Sequence, residues 1–134
     1  MENIENLISC LKSEDPKVRI QAAKDLGAMG DKAAQASGLL ASALDDIWIQ
    51  KSAFWALCQM TSALSYCVVE LGEKLKSEDD FARESAAQLI GYCGKDAMPY
   101  MDTLKNLAKN DSSLSIREKA KESFFKIDPD ALLD

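Results

Sequence analysis

Asp15-Pro16-Lys17-Val18-Arg19-Ile20-Gln21-Ala22-Ala23-Lys24-Asp25-Leu26-Gly27 is the stretch that decides the fold, because it returns in altered form along the chain. The next copy runs Asp46-Ile47-Trp48-Ile49-Gln50-Lys51-Ser52-Ala53-Phe54-Trp55-Ala56-Leu57-Cys58. A third runs Asp79-Asp80-Phe81-Ala82-Arg83-Glu84-Ser85-Ala86-Ala87-Gln88-Leu89-Ile90-Gly91. A fourth begins at Ser113 and passes through Ile116-Arg117-Glu118-Lys119-Ala120 to Phe124. The spacing of roughly 31 to 34 residues is that of stacked helical repeats, in which each unit buries its apolar face only against its neighbours.

Aligned copies give columns. Val18, Ile49, Ala82 and Ile116 share one; Ala22, Ala53, Ala86 and Ala120 the next; Leu26, Leu57, Ile90 and Phe124 a third. Apolar residues at i, i+4 and i+8 mark one face of a helix, the A helix of each repeat. The alanine column lets neighbouring helices approach closely. A second ladder, Leu7, Leu40, Leu71 and Leu104 followed by Leu11, Leu44, Leu75 and Ala108, defines a B helix. The chain therefore opens with a lone B helix, roughly Ile4 to Lys12, and ends with a fourth A helix. The expected organisation is one domain over 1–134. It has an N-terminal half repeat at 1–12, full repeats at 15–45, 46–78 and 79–111, and a C-terminal half repeat with a capping turn at 112–134.

The punctuation agrees. Asp15 before Pro16 reads as an N-cap with proline at the first helical position. Asp46 and Asp79 fill the same column. Gly30-Asp31 and Gly94-Lys95-Asp96 should each end one helix and cap the next. Only Thr61 or Ser62 is available for that at the second join. Ser115-Ile116-Arg117-Glu118 fits a capping box, which would start the last A helix slightly later than its relatives.

The run from Asp15 to Gly27 closely resembles the HEAT-repeat consensus, in the short bacterial and archaeal form also called phycobilisome-lyase HEAT-like. The resemblance is strong in the first repeat, clear in the third and degraded in the others. It implies an all-α fold, a right-handed α-α superhelix of about three and a half helix pairs, with B helices on the concave side. It also implies that Arg19, Arg83 and Arg117, a column interrupted by Gln50, form a ladder with Asp15, Asp46 and Asp79. Tetratricopeptide arrays have a similar period, but their Trp-Leu-Gly-Tyr pattern is missing. Armadillo repeats are longer and use three helices.

Composition narrows the function classes. Asp plus Glu outnumber Lys plus Arg by 22 to 16, a net charge of −6, which disfavours nucleic acid as the partner because phosphate neutralisation needs a basic surface. No apolar run approaches the ~20 residues of a membrane span, and Met1-Glu2-Asn3-Ile4-Glu5-Asn6 lacks the pattern of a signal peptide. The four cysteines, Cys10, Cys58, Cys67 and Cys93, make no Cys-x-x-Cys pair, and histidine is absent. Neither a zinc site nor a cysteine–histidine nucleophile is expected. The thiols fall in core-like columns, and a reducing, cytoplasmic location is expected. The sequence implies no catalytic residue, metal or cofactor.

Two surfaces are candidate partner sites. Trp55 occupies the otherwise polar column of Lys24, Gln88 and Glu122. Trp48 lies seven residues earlier, two turns along the same helix face, and Phe81 one repeat over, about 10 Å away. Trp48, Trp55 and Phe81 are thus expected to form an exposed aromatic patch on the outer face. The concave face should present Tyr66, Val69 and Glu73 from the second repeat and Met101, Asp102, Lys105 and Asn106 from the third. The first contributes the small or polar Gln35, Gly38 and Ser42, which would open a shallow pocket. The reading that leads is a non-catalytic scaffold or adaptor that binds a protein or peptide and is capable of self-association. The alternatives are an accessory subunit of a bilin-lyase-like enzyme and a nucleic-acid-binding HEAT array. HEAT-like di-iron hydroxylases need histidines that this chain lacks.

Overall fold

A computed structural model describes residues 3–134; Met1 and Glu2, the start of the expected N-terminal half repeat, lie outside the described residues. Among the described residues the chain is all-helical, without a strand. The α-helices are α1 (Ile4–Leu11), α2 (Pro16–Ala28), α3 (Ser37–Ser42), α4 (Gln50–Cys58), α5 (Val68–Lys74), α6 (Asp80–Leu89), α7 (Met101–Asn110) and α8 (Leu114–Ile127). Helices α2, α4, α6 and α8 carry the A columns, and each packs on the next. Helices α1, α3, α5 and α7 carry the B columns; α3 packs on α5, and α7 on α8.

The core follows the columns. Ala22, Ala53, Ala86 and Ala120 are all buried, as are Leu26, Leu57, Ile90 and Phe124. So are Leu7, Leu40, Leu71 and Leu104. Val18 departs from its column. It is 37% exposed, whereas Ile49, Ala82 and Ile116 are buried, because each of those positions belongs to a repeat with a preceding A helix packed against it, and α2 is preceded only by α1.

The joins differ from the expected caps. Gly30 and Gly94 take positive φ, +60° and +59°, a conformation glycine adopts without steric cost. However, the joins themselves are 3-10 turns at Gly30–Ala36, Thr61–Cys67 and Ile90–Tyr100, none with a side-chain cap. Asp31 instead accepts a hydrogen bond from Ser62 Oγ at 2.5 Å across the repeat boundary. Met60 occupies the second join at φ −131° with its side chain buried. Helix α8 is capped by Ser113, whose Oγ accepts from Ile116 N at 3.3 Å. It therefore starts before the capping box, and Ser115 accepts from Lys119 Nζ instead. The tail turns at Asp128, whose carboxylate accepts from Asp130 N, and packs Ala131 and Leu133 on the core.

Candidate functional site

The arginine column comes first because it fixes how repeats sit on one another. Arg19 Nη1 donates to the carbonyls of Ser13 (2.8 Å) and Glu14 (3.2 Å), while Nη2 reaches Asp46 Oδ2 at 3.4 Å. Arg83 repeats this: Nη1 donates to the carbonyls of Ser77 (2.9 Å) and Glu78 (3.1 Å), and Nε to Asp111 Oδ2 at 3.0 Å. Gln50 does the same work with one amide, donating to the Leu44 carbonyl at 2.9 Å and to Asp79 Oδ2 at 3.0 Å. Arg117 donates to the Asp111 carbonyl at 2.7 Å. In all four positions the carbonyl lies six residues back.

Two details of the expected ladder change. Asp15 pairs with no arginine and caps Lys17 N at 2.9 Å. Asp111, which the sequence reading passed over, accepts from Arg83 with its side chain only 5% exposed. Burial works against the Arg83 charge, but hydrogen bonds to Asp111 and Asp80 outweigh it and raise its pKa. These guanidiniums are engaged within the chain, which favours a structural role for the column over an anion site.

The outer aromatic patch is not assembled as expected. Trp48 lies in the turn before α4 rather than on it, and is 64% exposed beside Ile47 at 72%. Trp55 is on α4 and 44% exposed, but its six-membered ring covers Gly27: a Cβ there would lie 2.5 Å from Cζ3. Phe81 is half-buried, edge-to-face on Phe54 with centroids 6.0 Å apart and planes at 83°. Phe54, which the column reading did not single out, takes up that ring. What is exposed here is therefore mostly Ile47 and Trp48, with Trp55 less so.

The B-helix face is closer to expectation. Tyr66 is 80% exposed and Val69 55%, with Glu73 exposed beside them. Asp102 and Asn106 are exposed; Met101 is instead half-buried against the core. Lys105 is half-buried, with Nζ 3.8 Å from Asp134. An open groove of about 530 Å³ lies between the first and second repeats, lined by Lys32, Ala34, Gln35, Ser37, Gly38 and Tyr66. Gln35 and Gly38 line it as anticipated; Ser42 does not. The Glu70 carboxylate lies beside Gly38, where a Cβ would sit 3.2 Å from Oε2. A second hollow of about 500 Å³ includes Asp102, Asn106, Lys76 and Arg83.

Three of the four thiols are poorly suited to chemistry. Cys67 and Cys93 are buried, and Cys10 and Cys58 half-buried. Burial pushes Cys67 up to about 11 and Cys93 to about 12, and raises Cys58 as well. A thiol held protonated is a weak nucleophile and metal ligand. Among the described residues no three Cys, Asp or Glu side chains gather in a metal-binding arrangement. No single described helix is long and apolar enough to cross a membrane.

No family model matches the chain, and no curated protein does. Among solved structures, the chain is similar to the crystal structure of an engineered protein from the Northeast Structural Genomics Consortium. The TM-score is 0.70 at 22% identity, over 95% of this chain and 63% of that one. This chain thus spans less of its neighbour than the neighbour spans of it. The likeness shows the helical fold.

Proposed function

We propose that the chain is a non-catalytic protein–protein interaction scaffold or adaptor, built as a right-handed superhelix of HEAT-like repeats. The observation that carries this reading is the bonding column at Arg19, Gln50 and Arg83, which ties α2, α4 and α6 to the Asp at the joint that follows each, Asp46, Asp79 and Asp111. A device repeated at each joint makes a stiff frame, and such frames expose long surfaces for other macromolecules. Tyr66, Val69, Ile47 and Trp48 supply exposed apolar area on two faces of it, and aromatic residues are frequent among binding hot spots. On this reading the protein works in the cytoplasm, without metal or cofactor.

Affinity capture from native-source lysate tests it. The wild type would be compared with Tyr66→Ala/Val69→Ala and with Trp48→Ala/Trp55→Ala, with bound proteins and small molecules identified by mass spectrometry. A protein retained by the wild type and lost by one variant is the expected result and identifies the face. Capture of a coloured small molecule alone would overturn the scaffold in favour of a bilin-lyase-like role. Salt-sensitive retention of DNA would favour the nucleic-acid reading.

A further inference from the structure

We infer that the groove beside Tyr66 receives a short cationic peptide segment of a partner protein, one apolar side chain entering the hollow over Gly38 and a neighbouring lysine or arginine meeting Glu70 and Glu73. This deepens the scaffold reading above and rests on it. The groove exists because equivalent positions differ in size between repeats. Gln35, Gly38 and Ser42 of the first occupy the columns of Tyr66, Val69 and Glu73 of the second. Gly38 makes a floor and Tyr66, 80% exposed, a wall. Glu70 and Glu73 lie three residues apart on α5 and so on one face of it, with Tyr66 in the 3-10 turn just before that helix.

The charges select the occupant. Lys74 is already paired with Asp45 at 2.8 Å, and Lys105 with Asp134 at 3.8 Å. Glu70, Glu73 and Asp102 make no ion pair among the described residues. Lys32 is the cation of the lining; it lies in the Gly30–Ala36 turn, six residues before the Gly38 that Glu70 lies beside. A basic segment entering at the Glu70–Glu73 end gains charge pairing beside an apolar hollow. An acidic segment there meets repulsion.

The test uses the full chain and fluorescein-labelled synthetic peptides of one apolar pattern, with lysine, serine or glutamate between the apolar residues, followed by fluorescence anisotropy. The lysine peptide should bind tightest, and Glu70→Gln/Glu73→Gln should weaken it about tenfold or more. Glu118→Gln/Glu122→Gln, an equal charge change on exposed positions of α8, should leave binding within about twofold. Gly38→Leu fills the hollow while keeping every charge, and should also weaken binding. Melting curves verify that each variant folds. Equal weakening by the α8 pair would mean bulk attraction and would overturn the inference. So would tighter binding of the serine or glutamate peptide, or no binding by any of them. In those cases a protein still captured in the lysate experiment would leave the scaffold reading standing.

Discussion

Helices α2 and α4 are aligned copies of one pattern, yet α2 runs for 13 residues and α4 for 9. The difference lies in the punctuation. Asp15 caps α2 and Pro16 presets the first helical φ. In the second repeat Asp46 still accepts from Trp48 N at 3.0 Å, but Ile47-Trp48-Ile49 follows where Pro16-Lys17-Val18 stood. Ile49 turns inward to a buried site at φ −124°, and the regular helix starts only at Gln50. Ile47 and Trp48 are left projecting from the turn. The spacing between repeats survives this change. Gln50 reaches both a carbonyl six residues back and the next Asp. Local helix ends are thus set by a few residues, while the bonding column and the alanine column hold the relation between repeats.

The comparison can be broken first in the core. Leu26→Ala and Leu57→Ala remove equivalent, fully buried side chains. Each should cost about 2–5 kcal/mol, measured by urea denaturation. A cost confined to the first repeat would mean that the second is not packed as its equivalent.

Next come the ladder positions. Arg83→Ala strips Asp111 of its guanidinium partner and should cost about 1.5–3 kcal/mol, while Gln50→Ala, which loses one bond to a carbonyl and one to a carboxylate but no ion pair, should cost less, about 1–2 kcal/mol. Thermal melts of the two variants order them. Equal losses would mean that the charge on Arg83 adds nothing.

The tryptophans sharpen the contrast at smaller scale. Trp55 hides about half its surface against α2, so Trp55→Ala should cost about 2 kcal/mol. Trp48→Ala, in an exposed turn, should stay within about 0.5 kcal/mol. A reversed order in chemical denaturation would contradict the packing of Trp55 on Gly27.

The smallest effect at neutral pH concerns the buried thiols. Cys67 and Cys93 titrate in the folded chain at about 11 and about 12, above the ordinary value near 9. The unfolded chain loses these protons first. Their contribution to stability is therefore complete below pH ~9 and is lost as pH rises toward 12. Melting temperatures scanned from pH 8 upward should fall in that window, and less steeply in a Cys67→Ala/Cys93→Ala variant. Identical slopes would assign the alkaline loss to other groups.

Much of the fold was legible because alanine and leucine columns at a fixed period have one economical arrangement, helices packed on their own copies. The caps were legible where Asp and Pro stand together, and misleading at Asp31 and Ser115, whose side chains found tertiary or later partners instead. The site was less legible. Column position gave Tyr66, Val69 and Glu73 as exposed, since a B-helix face has one orientation. It could not reveal that Trp55 would lie over Gly27, or that Phe54 would draw in Phe81. Those contacts depend on the small residue opposite, one repeat away. Asp111 was readable in principle, one period after Asp79, but Ser113 drew the alignment past it.

The central claim is that the second repeat keeps the joint of its neighbours after losing their arginine. A double-mutant cycle on Gln50→Ala and Asp79→Ala tests it most directly, because it cancels the separate role of Asp79 as the cap of α6. The account predicts a coupling of about 0.5–1.5 kcal/mol between the two positions. Additive losses, with no coupling, would contradict it.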